Sequence, residues 1–168
     1  ALPASDFPTL EDLPFDGDIR LRQGTLRGMI ERSHFAMAQQ DVRYYLNGLL
    51  LEVSPNILRL VATDGHRLAF QELQTEDGAV EARQVIVPRK GVLELQRLLA
   101  DSDAQVVLKL GANHLRVMLG EIRFTSKLID GKFPDYQRVI PREGHRIVIA
   151  DRQVLRSALA RAGIVLND

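Results

Sequence analysis

The residues best suited to proton transfer or metal ligation near neutral pH are four histidines, at positions 34, 66, 114 and 145. None has the short spacing that puts two ligands on one turn, and there is no cysteine to complete a set. Asp64-Gly65-His66 places a carboxylate next to an imidazole, but a hairpin turn accounts for Asp-Gly without chemistry, because both residues tolerate positive φ. The serines, at 5, 33, 54, 102, 126 and 157, show no Gly-x-Ser-x-Gly elbow. Lys90-Gly91 lacks the preceding glycines and following hydroxyl of a phosphate loop. The expectation is therefore no catalytic residue, no metal, no cofactor and no enzymatic activity.

What remains is chemistry suited to a polyanion. Arg43, Tyr44 and Tyr45 combine a guanidinium with two rings, a set that holds phosphate while a ring packs on sugar or base. A strand start with one tyrosine facing the core is the plainer account of the same residues. The formal net charge is zero, yet Asp6, Glu11, Asp12, Asp16 and Asp18 concentrate five acids at the start, leaving 22 bases against 17 acids after residue 19. Those bases recur as Arg20, Arg22, Arg27 and Arg32, then Arg83, Arg89, Lys90 and Arg97, then Arg146, Arg152, Arg156 and Arg161. Any one cluster is explained by a solvated helix face, whereas three on one repeating scaffold point to a surface that follows a phosphate backbone.

The elements that would position these residues come from a repeat. Val85, Ile86 and Val87 read as a buried strand that passes through Pro88 into a helix carrying Val92, Leu93, Leu95, Leu98 and Leu99. The same pattern occurs upstream, with Ile19 and Leu21 followed by Leu26, Met29 and Ile30, and downstream, with Ile147, Val148 and Ile149 followed by Val154, Leu155, Ala158, Leu159 and Ala162. Matching Leu21, Val87 and Ile149 gives intervals of 66 and 62 residues. Each amphipathic helix needs a sheet face, so each copy implies one.

Strands are expected over residues 46–53 and 58–63, with a turn at Pro55-Asn56, and a tight hairpin at Asp64-Gly65 would set Thr63 opposite His66 and Val61 opposite Leu68. Residues 73–83 read as a loop. Residues 106–110, 115–119 and 122–128 read as a meander, and 130–141 as a non-periodic crossing segment. Each half-unit is thus strand, helix and antiparallel strands. The class is α+β, with two pseudo-symmetric halves and helices on one side of curved sheets. The third strand and helix have no meander after them, so the protein is expected to continue. Pro3, Pro8 and Pro14 mark residues 1–16 as linker or arriving strand, and no apolar run reaches membrane-spanning length. The absence of cysteine is compatible with a reducing compartment.

Four strings in this order resemble the bacterial beta sliding clamp family, the processivity subunits of the replicative DNA polymerase. They are Gln40 to Gly48, Val61 to Ala69, Val85 to Gly91, and Phe124 to Leu128 with Asp130 to Tyr136. The resemblance implies a DNA-clamp fold, with residues 1–12 as the end of a first domain and linker, 13–141 as the middle domain and 142–168 as the start of a third. It implies a cytoplasmic, bacterial replication factor with no membrane partner, assembled as a head-to-tail homodimer around duplex DNA. Its partners would be the polymerase catalytic subunit, the clamp loader, and other polymerases and repair proteins that dock through short peptides. By the same resemblance, Leu46, Thr63, Gly65, His66, Arg67, Leu68, Pro134, Arg138 and Val139 form the peptide pocket wall, while Gln40, Arg43, Tyr44, Tyr45, Arg89 and Lys90 touch DNA. The alternative from another class is a nucleic-acid-binding module that acts without a ring.

Overall fold

The computed structural model describes residues 15–75, 81–141 and 146–164. Expectations for residues 1–14, for Glu76, Asp77 and Gly78, and for His145 lie outside them. The chain divides into two compact units after Pro134, and each is described by itself.

In the first unit, β1 (Phe15–Arg22) alternates buried Ile19 and Leu21 with exposed Arg20 and Arg22. It runs directly into α1 (Gln23–Glu31), whose Leu26, Met29 and Ile30 fall on one buried face. Three antiparallel strands follow, β2 (Gly48–Ser54), β3 (Ile57–Thr63) and β4 (Leu68–Gln74). The pattern then repeats as β5 (Arg83–Pro88), α2 (Arg89–Leu98), β6 (Gln105–Gly111), β7 (His114–Leu119) and β8 (Ile122–Lys127). The meander and both strand-helix junctions occur where periodicity puts them.

The leading strand of each half does not join its own meander. β1 pairs with β6 and β5 pairs with β2, giving two all-antiparallel sheets in the orders β1-β6-β7-β8 and β4-β3-β2-β5. Neither half could close a sheet alone. The helix starts are exchanged in the same way. Gln23 N–H donates to the Ala104 carbonyl at 2.8 Å, and Arg89 N–H donates to the Asn47 carbonyl at 3.0 Å. Each bond satisfies a helix-end donor that no side chain caps, using the residue just before the other half's first meander strand.

Both helices pack together on the apolar faces of the two sheets, so one core serves both halves. An apolar void of about 20 Å³ at its centre is lined by Leu26 and Ile30 of α1, Val92 and Leu95 of α2, and strand residues such as Leu51 and Leu108.

In the second unit, Tyr136–Arg138 form a 3-10 turn and α3 spans Arg152–Gly163. The Asp151 carboxylate caps α3, accepting from the Gln153 and Val154 N–H groups, both at 2.9 Å. The strand expected at Ile147, Val148 and Ile149 is not formed, and these residues are 84%, 87% and 95% exposed. A helix satisfies its hydrogen bonds within its own segment, but an extended segment becomes a strand only beside a partner edge, which no described residue provides here.

Candidate functional site

The residues singled out for peptide and DNA contacts lie largely where the first half departs from the second. The connection from α1 to β2 is long and irregular, with 3-10 turns at His34–Ala36 and Tyr44–Leu46. Tyr44 and Tyr45 are therefore not a strand start. Their rings meet edge to face, with centroids 5.7 Å apart, and Tyr44 is 55% exposed beside an almost fully exposed Val42.

Asn47 fixes the base of this loop. Its side chain accepts from Asp41 N–H at 3.0 Å and donates to the Asp41 carbonyl at 2.8 Å. Asp41 in turn holds Arg43 through a two-pronged contact, with Nε donating to Oδ1 at 3.0 Å and Nη2 donating to Oδ2 at 2.8 Å. Arg43 N–H also donates to Asp41 Oδ1, at 2.8 Å. These bonds hold the Asp41 carboxyl down at about 2 and raise the Arg43 guanidinium above its ordinary value.

The hairpin between β3 and β4 is wider than a two-residue turn. Thr63 faces Leu68 and Val61 faces Phe70, so Asp64, Gly65, His66 and Arg67 form a four-residue loop and His66 leaves the strand. The register moves by two residues, which preserves the shared face of Val61, Thr63, Leu68 and Phe70. Side-chain chemistry explains the width. Asp64 Oδ1 accepts from the N–H groups of His66 and Arg67, both at 3.0 Å. Thr63 Oγ1 accepts from Gly65 N–H at 3.1 Å and donates to the Arg67 carbonyl at 2.7 Å. The two backbone N–H bonds, led by that of Arg67, hold the Asp64 carboxyl at about 2, and the Arg67 side chain adds to the effect. Gly65 has φ +91°, where a side chain is strained.

The loop and the hairpin touch. Arg43 Nη2 donates to the Asp64 carbonyl at 3.2 Å, and the Arg67 guanidinium lies 5.6 Å from the centre of the Phe35 ring. The segment after β8 joins them, since a Cβ on Gly131 would meet the Tyr44 ring at 3.2 Å.

The sequence-expected residues therefore divide by position. Gln40, Arg43, Tyr44, Gly65, His66, Arg67 and Pro134 are exposed, Tyr45, Thr63 and Leu68 are half-buried, and Leu46 is 2% exposed. Leu46 thus supports the loop from the core rather than offering open apolar surface. Arg89 and Lys90 begin α2, with Lys90 exposed. Arg138 and Val139 belong to the second unit, where Arg138 pairs with Asp135 at 2.8 Å. Sequence reasoning missed Asp41, Asn47 and Phe35. The readable signals were an aspartate two residues before Arg43 and another two and three residues before the His66 and Arg67 amides, the spacing of side-chain-to-backbone turns.

Among the described residues no group of three or more His, Asp or Glu could hold a metal ion, and no described helix is long and apolar enough to cross a membrane.

Known proteins resemble the chain in sequence and in fold. Residues 20–135 match the family described as DNA polymerase III beta subunit, central domain. The beta sliding clamp of Pseudomonas putida is 56% identical over 167 residues, covering 99% of this chain and 46% of that protein. That of Escherichia coli is 46% identical over 167 residues, covering 99% and 45%. The crystal structure of the DNA polymerase III subunit beta from Pseudomonas aeruginosa superposes with a TM-score of 0.92 at 56% identity, over 97% of this chain and 45% of that one. The chain spans about half the length of the curated relatives it matches. With the paired meanders, the exchanged leading strands and a family match over residues 20–135, the chain belongs to the DNA polymerase III beta subunit family, the bacterial sliding clamps.

Proposed function

We propose that this chain forms part of a non-enzymatic, cytoplasmic processivity factor: a ring, closed by head-to-tail pairing of two subunits, that tethers the replicative polymerase to duplex DNA. Residues 13–141 are the middle domain, 1–12 the end of the preceding one and 142–168 the start of the next. The observation that carries the reading is 56% identity to a beta sliding clamp over 99% of the chain.

Physical features support the division of labour. Arg89 and Lys90 put two cations in the first turn of α2, where the helix dipole opposes positive charge and no acid offsets it. A nearby polyanion relieves that conflict, and Arg43 with exposed Tyr44 adds a second such contact. Sliding requires backbone contacts that do not read bases. Thr63, Gly65, His66, Arg67 and Leu68, with Leu46 and Pro134 of the same unit, dock short peptides of the polymerase, the clamp loader and repair proteins.

Retention of the intact protein on circular against linearised DNA tests the ring. Loss from linear ends with retention on circles supports tethering, and equal retention favours a nucleic-acid-binding module that acts without closure.

A further inference from the structure

Arg43 belongs to two places at once. A guanidinium offers two donor edges, Nε with Nη2 and Nη1 with Nη2. The first is taken by the Asp41 carboxylate at 3.0 and 2.8 Å. The second is turned to the hairpin, with Nη2 on the Asp64 carbonyl at 3.2 Å and Nη1 3.0 Å from where a Gly65 Cβ would sit. With Asp41 on the first edge, a phosphate that grips Arg43 takes the second edge and displaces the Asp64 carbonyl. The hairpin loop held in this way is the one proposed above to dock peptides.

We infer that Arg43 is a latch between the two surfaces, with Asp41 and Asp64 as its positioning residues, so that duplex binding at Arg43 and the closed form of the Asp64–Arg67 loop are alternatives. This rests on the proposed roles of the loop and of Arg43 in peptide and DNA contact. Phosphate takes the guanidinium, the Asp64 carbonyl loses its donor, and the loop keeps only its internal Asp64 and Thr63 bonds and the Phe35 contact. Coupling is reciprocal, so an occupant that holds the loop closed weakens DNA contact by the same factor. Asp41 is the internal competitor of the phosphate, and neutralising it frees the latch toward DNA.

The test is a titration of the ¹⁵N-labelled 168-residue chain with a duplex of about one and a half turns at low ionic strength, where phosphate contacts are strongest. Amide signals of Arg43 to Tyr45 should move together with those of Gly65, His66 and Arg67. Arg43→Lys keeps a point charge but lacks the two planar edges, so duplex binding should weaken and, compared at equal saturation, the hairpin shifts should vanish. Asp41→Asn should tighten duplex binding by about fivefold, at the lower end of ordinary coupling. Hairpin shifts undiminished in Arg43→Lys at equal saturation would mean direct contact with DNA and overturn the latch. A moving Arg43 to Tyr45 segment with a silent hairpin would also overturn it while leaving the DNA reading intact. No shift at Arg43 to Tyr45 or at Arg89 and Lys90 would remove the DNA reading itself, and the latch with it.

Discussion

The half from Phe15 to Thr75 and the half from Arg83 to Lys127 run the same course of one strand, one helix and three antiparallel strands, yet they differ at two connections. Helix to meander takes residues 32–47 in the first half and only 99–104 in the second. The last hairpin turns through Asp64–Arg67 in the first and through Gly120-Glu121 in the second. Both elaborations sit on one half, and they pack on each other through Arg43 with Asp64 and Phe35 with Arg67. The difference separates scaffold from site. Core residues are constrained equally on both sides of the pseudo-two-fold, and the added polar loops do nothing for the core that the second half fails to achieve without them.

The widest-reaching way to break this comparison is through the core. Leu58 and Leu115 hold equivalent positions in β3 and β7 and are 0% and 1% exposed. Leu58→Ala and Leu115→Ala should each destabilise by about 2–5 kcal/mol. Because one core joins both halves, each variant should still unfold in a single transition, with circular dichroism and near-ultraviolet probes coinciding. Two separated transitions would mean the halves are independent.

A smaller effect tests where the symmetry is imperfect. Gly48 and Gln105 open the equivalent strands β2 and β6, but a Cβ on Gly48 would lie 2.5 Å from the Val87 carbonyl oxygen and 2.8 Å from Ile86 Cγ2. Gly48→Ala should cost about 1–3 kcal/mol through forced backbone displacement. Gln105→Ala, at an exposed site, should stay within about 0.5 kcal/mol in the same denaturant titration.

The hairpin difference has a pH signature. The Asp41 and Asp64 carboxyls are held at about 2, below the ordinary value near 3.9. Depressed carboxyls contribute stability that is present above the unfolded value and is lost as pH falls through the folded one. The His66 and Arg67 amide signals should therefore stay native-like at pH 4 and shift only as pH approaches 2. In Asp64→Ala they should lie at loop-like positions at every pH. A titration midpoint near 3.9 in the parent chain would show that the carboxylate bonds are not holding the loop.

The least effect is expected from the exposed helix ion pairs. Arg27 meets Glu31 at 2.8 Å on α1 and Arg97 meets Glu94 at 2.7 Å on α2. Pairs of this kind are screened by solvent, so Arg27→Ala and Arg97→Ala should leave the unfolding midpoint essentially unchanged at physiological salt. A clear loss in Arg27→Ala alone would trace to its further contact, Nη1 with the Leu99 carbonyl at 3.5 Å, and not to the ion pair.

Local residue chemistry determined much of this protein by itself. The strand-helix junctions at Arg22-Gln23 and Pro88-Arg89, the meander from Gln105 to Lys127 and the buried Leu26, Met29, Ile30, Val92 and Leu95 of the helices follow from apolar spacing, because side-chain period is a property of the local backbone, although Leu98 of the same expected set is 39% exposed. The four motif strings carried the family. Tertiary structure alone decided that β1 joins β6 and β5 joins β2, since hydrogen-bonding edges look alike in sequence and the choice depends on which surfaces meet. It also decided that the hairpin is four residues wide, because Asp64 binds the His66 amide that a two-residue turn would pair with Thr63 across the strands. The 147–149 segment shows the same limit. Its apolar run reads as a strand, but a strand needs hydrogen-bond partners from elsewhere in space, while α3 next to it forms from its own residues and its Asp151 cap.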